Sequence, residues 1–212
     1  GAFKLEAGKV LQYSPANGLG SGAVYCFGED NDGQVWVGTI DGGLSVIGKE
    51  GVRTFSKANG LHSTFVRCIG RDREGNLLIG TNDNGLDIFK GDRFVSFGTD
   101  DGLTDPQVWA VAEDDNGRAW FGTNGGIVIL SGRDGRGGMR TITAQQGALT
   151  DNFIRCLRED DKGYMWIGTD HGGLLRYDPR TDRVTGDIEL SGTLAEGKVT
   201  ALEVGQSGEI WV

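Results

Sequence analysis

Several common kinds of chemistry are poorly provided for in this sequence. Its 212 residues include two histidines, three cysteines and three prolines. The histidines, His62 and His171, have no cluster of ligand-spaced partners around them, so no metal site is expected. No apolar run reaches the roughly 18 residues that a spanning helix needs, and nothing near the start reads as a secretory signal. Basic residues are outnumbered, 21 to 30, which gives a formal charge of −9 and a pI near 4.7. A nucleic-acid backbone or an anionic membrane surface would be repelled overall, and neither is an expected partner. There is no Gly-x-Ser-x-Gly elbow, no paired nucleophile and base, and no cofactor motif.

Glycine, by contrast, is abundant at 38 residues. Much of it belongs to a repeated phrase: Trp36-Val37-Gly38-Thr39, Leu78-Ile79-Gly80-Thr81, Trp120-Phe121-Gly122-Thr123 and Trp166-Ile167-Gly168-Thr169, with a fifth start at Trp211-Val212. The phrase glycines are spaced 42, 42 and 46 residues apart, a period suited to four-stranded propeller blades. A lone blade cannot bury its faces, so the repeats must stack around an axis. The expected fold is all-β, a propeller of four-stranded antiparallel blades, read as one domain over 1–212. Its repeats run over 19–60, 61–102, 103–147 and 148–192, with half blades at 1–18 and 193–212.

Within each repeat the pattern gives four short strands, A to D. Strand A begins at Val24, Val66, Val108, Ile154 and Val199; strand B carries the phrase; strand C follows Gly43, Gly85, Gly126 and Gly173; strand D includes Phe55, Phe94, Ile142 and Val184. The N-terminus supplies strands C and D, and the C-terminus A and B, of one further blade. Pairing of those halves would close a five-bladed ring and hide its edges. The other possibility is an arc of a larger propeller, which would expose apolar faces and self-associate.

The A-to-B turns, such as Asp30-Asn31-Asp32-Gly33 and Asp114-Asp115-Asn116-Gly117, read as tight hairpins rather than calcium loops, because the EF-hand ligand spacing is missing. At Gly205-Gln206-Ser207-Gly208 the aspartate is absent, so its capping bond should be lost and the hairpin looser. Cys26, Cys68 and Cys156 share one repeat position with Ala110 and Ala201. A slot for a small residue predicts three free thiols, too far apart for a bridge.

The repeat resembles the two-component regulator propeller repeat. The resemblance rests on Gly60-Leu61-His62-Ser63, Val66-Arg67-Cys68-Ile69, Asp72, Gly75, Ile79-Gly80-Thr81 and Gly85-Leu86, and more fully on the fourth copy from Leu149 to Asp178. It departs at Leu78, where tryptophan is expected, at Gly205, and in the shortened Asn124-Gly125-Gly126 loop. The resemblance implies a non-catalytic sensor, the periplasmic or extracytoplasmic input part of a bacterial signalling protein, with carbohydrates as frequent ligands and downstream signalling domains as partners. The residues themselves leave a cytoplasmic location open, and three unpaired thiols sit awkwardly with an oxidising compartment.

In a meander the D-to-A and B-to-C loops emerge on one face, where the sequence varies. There His62, Asn82, Asn124, Asp170 and His171 surround a ring formed by the second residue of each strand A: Tyr25, Arg67, Trp109, Arg155 and Thr200. Two arginines and two aromatics suit an acidic or neutral sugar, the guanidiniums forking onto carboxylate or sulfate and the rings stacking on sugar faces. The competing reading is an axial plug, with arginines paired to carboxylates such as Asp105 or Asp151. Two other functions stand beside sensing. One is a hydrolase or lyase using Asp170 and His171 with Asp151 or Glu196, and the other is a protein-binding scaffold. The Ser131–Gly138 loop lies on the opposite face and reads as a possible contact with a following domain.

Overall fold

In the computed structural model the described residues are 1–132, 137–186, 197–205 and 207–212, so Glu196 and residues 133–136 of the Ser131–Gly138 loop lie outside them. Four complete antiparallel sheets follow one another along the chain. The first is β3 (Val24–Glu29), β4 (Val35–Thr39), β5 (Leu44–Gly48) and β6 (Gly51–Phe55); the second is β7 (Val66–Arg71), β8 (Leu77–Thr81), β9 (Leu86–Lys90) and β10 (Arg93–Phe97). The third comprises β11 (Val108–Glu113), β12 (Ala119–Thr123), β13 (Gly126–Leu130) and β14 (Met139–Ile142), and the fourth β15 (Ile154–Glu159), β16 (Met165–Thr169), β17 (Leu174–Asp178) and β18 (Arg183–Thr185). Each is a blade in meander order. Inner strands stack in sequence, β3 on β7, β7 on β11 and β11 on β15.

Each core cluster is shared by two neighbouring blades: Trp36 and Phe55 pack with Leu77 and Ile79, Leu78 and Leu86 with Phe121 and Val128, and Trp120 and Ile129 with Ile167 and Tyr177. The repeated phrase is the device that builds these interfaces. Its glycine admits the next blade: a Cβ on Gly80 would collide with Cys68 Sγ and come within 2.7 Å of Val108 Cγ1. Its threonine ties the B-to-C loop, as Thr39 Oγ1 donates to the Gly43 carbonyl at 2.9 Å and accepts from Gly42 N at 3.0 Å. Its tryptophan donates back to the turn aspartate, Trp36 to Asp30 at 2.8 Å, Trp120 to Asp114 at 2.7 Å and Trp166 to Asp160 at 2.8 Å. Where Leu78 replaces tryptophan, Asn76 Nδ2 takes over the Asp72 oxygen at 2.6 Å.

The turns are hairpins as read from the sequence. Asp30 Oδ1 accepts from Asp32 N and Gln34 N, and Gly33 has φ of 72°. The Gly205 turn corrects the expectation of a missing cap. Glu209, four residues on, turns its carboxylate back to accept from Ser207 N at 3.0 Å.

Ring closure is a second correction. The terminal pairs β1 (Ala2–Glu6) with β2 (Lys9–Tyr13), and β19 (Glu203–Val204) with β20 (Ile210–Trp211), form two separate two-stranded sheets, and no ladder joins them among the described residues. Phe3, Leu5 and Trp211 stay exposed at 65%, 75% and 63%. Complementary register made the halves pairable. The curvature that would bring them together is set by how blades stack, which register does not encode.

The three cysteines are free and wedged between blades, half-buried, each Sγ donating to a carbonyl of the next blade: Val66 at 3.7 Å, Val108 at 3.8 Å and Val199 at 3.6 Å. Burial pushes the Cys26 thiol up to about 12 and Cys156 to about 11, and raises Cys68 as well. A thiol reagent at pH 8 is therefore expected to label the native protein far more slowly than the urea-unfolded chain, and equal rates would contradict this packing.

On the face of the A-to-B turns, neighbouring blades are stapled by glutamates: Glu113 Oε2 accepts from Arg73 N and Glu159 Oε1 from Asp115 N, both at 2.8 Å. Burial first, then the nearby Asp115 and Asp114, raise Glu159 to about 7. A carboxyl raised on folding adds stability that is complete below its ordinary value and lost as pH climbs through the folded one. Glu159→Gln keeps the acceptor without the titration, so urea melts of this variant should show a flatter stability profile between about pH 5 and 8.

Candidate functional site

The ladder between strands A and B breaks at one place in each complete blade. Register shifts between Val24 and Cys26, Val66 and Cys68, Val108 and Ala110, and Ile154 and Cys156. The residue left out of the ladder is Tyr25, Arg67, Trp109 or Arg155, so a β-bulge aims each of these side chains away from the sheet. Four of the five residues expected to form the central ring therefore come from a repeated backbone irregularity.

These side chains converge. Tyr25, Arg67, Trp109, Arg155 and Thr200, joined by Lys198, line a cavity of about 300 Å³. Cations and rings alternate along it. The Arg67 guanidinium carbon lies 3.6 Å from the Trp109 ring centroid and the Arg155 carbon 4.0 Å from it, while Arg67 Nη1 reaches the Tyr25 hydroxyl at 3.3 Å. Flanking rings come from the residue before strand A: Phe65, 4.9 Å from the Arg67 carbon, and Phe153, 5.9 Å from that of Arg155.

Three of the four bulged side chains are held by the residue that follows the phrase threonine, 15 positions on; at the fourth, Ile40 offers Tyr25 no such partner. Arg67 Nε donates to Asn82 Oδ1 at 2.8 Å, Trp109 Nε1 to Asn124 Oδ1 at 2.7 Å and Arg155 Nε to Asp170 Oδ1 at 2.7 Å. Lys198 Nζ lies 2.9 Å from the same Asp170 oxygen. Hydrogen bonds from Arg155 and then Lys198 hold the Asp170 carboxyl down at about 2, so it stays ionised except in strong acid. The arginine partners are thus Asn82 and Asp170. Asp105 accepts from Gln107 N in its own loop, and Asp151 accepts from Phe153 N and, across to the B-to-C loop, from His171 N.

The two histidines are placed differently. His171 is exposed at the rim, its ring 3.5 Å from Asp151 and 3.4 Å from Asp170. His62 is exposed and outside the cavity lining; its backbone N donates to Asp87 and its carbonyl accepts from Asn84. Sequence reasoning missed Lys198, Phe65, Phe153 and Gln107, which accepts from Asn124 Nδ2 at 2.6 Å. All four occupy the position just before strand A, so the same alignment that exposed the ring contained them. No group of histidine, cysteine and carboxylate residues able to hold a metal occurs among the described residues.

The family model described as "Two component regulator propeller" matches residues 18–41, 60–83, 102–125 and 148–171, each spanning strands A and B with the loops that carry the site. Together the four matches cover 96 of the 212 residues. Among solved structures it is similar to the extracellular domain of a hybrid two component system of B. thetaiotaomicron, BT3049, at 23% identity and a TM-score of 0.80, with 97% of this chain and 28% of that one covered. It is also similar to the extracellular domain of the B. thetaiotaomicron one component system BT4673, at 20% identity and a TM-score of 0.73, with 95% and 31% covered. A virginiamycin B lyase from Staphylococcus aureus shares the fold at 15% identity and a TM-score of 0.70, with 89% and 62% covered. The chain therefore spans less than a third of the two extracellular domains. No match was found among curated protein sequences. No helix among the described residues is long and apolar enough to cross a membrane.

Proposed function

We propose that the chain is a non-catalytic, ligand-binding part of the extracytoplasmic input region of a bacterial signal-transduction protein, and that its ligand is an anionic carbohydrate. One observation carries the ligand class: Arg67, Arg155 and Lys198 surround a cavity whose nearby carboxylate is Asp170. Both guanidiniums lie against the Trp109 ring, which leaves that ring little free face for a sugar; stacking falls to Tyr25, 46% exposed. This favours a uronate or sulfated sugar over a neutral one. The likeness to extracellular sensor domains supports the role, and the arrangement of Asp170 argues against catalysis, because a carboxylate held near 2 by two cations is a poor base.

Thermal melts with a uronic-acid oligosaccharide and its carboxyl-reduced counterpart test the reading. The acidic sugar is expected to raise the melting temperature, and added salt to reduce the gain. An equal response to the neutral sugar would overturn the anionic assignment, and turnover of the bound sugar would overturn the non-catalytic one.

A further inference from the structure

A larger cavity, about 900 Å³, opens on the opposite face between the first two complete blades. Trp36, Phe55 and Phe89 wall it, with ring centroids 5.1 to 5.7 Å apart. The corresponding place between the third and fourth blades shows what chemistry such a cleft accepts. There Trp120 and Tyr177 stand where Trp36 and Phe89 stand, with centroids 4.8 Å apart, and Asp114 stands where Asp30 does. The Arg118 guanidinium sits by both rings, 5.6 and 5.7 Å from their centroids, and Arg118 Nε donates to Asp114 Oδ2 at 2.6 Å.

Two sequence changes leave the Trp36–Phe89 side of the first cleft without this cation, while the Arg53 guanidinium lies 4.4 Å from the Phe55 centroid on the other side. Gln34 replaces Arg118 and satisfies the Asp30 oxygen at 3.1 Å with a neutral, shorter amide. Phe89 replaces Tyr177, whose hydroxyl ties the far wall to Asp182 at 2.8 Å. The outer ion pairs are retained in both, Arg53 with Asp92 and Arg140 with Asp182. Five carboxylates line the first cleft, Asp32 and Glu50 among them, against two cations, Lys49 and Arg53. An aromatic cleft with an acidic surround attracts a cation, and more strongly when that cation is desolvated.

We infer that the cleft between the first and second complete blades is a docking site for an arginine side chain presented by a segment of a partner protein, whose guanidinium takes the place that Arg118 fills two blades further on. The cleft is larger than one side chain, so residues flanking the arginine are accommodated within it.

The test uses acetyl-Gly-Arg-Gly-amide and follows the Trp36 indole N–H by NMR. A saturable shift is expected, at least tenfold weaker with citrulline in place of arginine and weaker with free arginine amide. Equal binding of the citrulline peptide would overturn the guanidinium assignment, equal binding of free arginine amide the protein segment, and no shift at millimolar peptide the site itself. Gln34→Arg should abolish the shift by filling the cleft from within, with acidic-sugar binding unchanged. Phe89→Tyr, a milder change, should weaken it severalfold; a shift that persists unaltered in both variants overturns the proposal.

Discussion

Replacing Asp114 by alanine is expected to cost about 3 to 5 kcal/mol of stability, the range for breaking a buried charge pair and leaving its partners uncompensated. Asp114 is 3% exposed and accepts four hydrogen bonds: Oδ1 from Asn116 N and Arg118 N, Oδ2 from Arg118 Nε and Trp120 Nε1. Water can reach the turn amides after the change. It cannot reach the indole of Trp120, which is fully buried, and a buried unpaired donor costs about 1 to 3 kcal/mol by itself. Asp72→Ala supplies the control, because Leu78 provides no indole and Asn76 only a short amide at that site. Urea unfolding of both variants should show the Asp114 change costing at least twice as much, and equal losses would remove the indole bond from the explanation.

The Arg67→Ala/Arg155→Ala double variant should lose binding of an acidic oligosaccharide altogether, with each single change costing about 10- to 100-fold, the worth of one charge-assisted hydrogen bond. The two changes should not be equal. Arg67 is anchored by neutral Asn82, whereas Arg155 is anchored by Asp170, so its removal leaves a carboxylate facing the ligand with only Lys198 to balance it. Calorimetric titration should therefore rank Arg155→Ala as the weaker binder. Asp170→Asn should tighten binding by removing a like charge. Unchanged affinity in the double variant would show that the sugar, if bound, sits elsewhere. Because both arginines share Trp109, their losses should not be additive.

How far the sequence could be read depends on which letters repeat. Asp30, Gly33, Trp36, Gly38 and Thr39 each have one local task, and recurrence at a fixed period made hairpins, strands and blade interfaces legible. The ring of Tyr25, Arg67, Trp109 and Arg155 was legible for the opposite reason, as the variable position inside a repeated strand. What could not be read was the bulge that frees those side chains from the ladder, since it lies in backbone register rather than residue type. Lys198 and Phe65 were passed over because the preceding position was treated as loop. Glu209 was missed because a cap was sought only at the start of its turn, and ring closure because blade stacking has no letter of its own.

The bulges have a consequence for how such a protein changes over generations. A side chain omitted from the ladder contributes little to sheet pairing, so exchanging it leaves the blade nearly as stable as before. Four neighbouring sockets can then be refitted one at a time while the blades beneath them are left intact. A Tyr25→Arg protein would make this concrete: its melting temperature should stay close to the parent's while its preference among acidic sugars shifts.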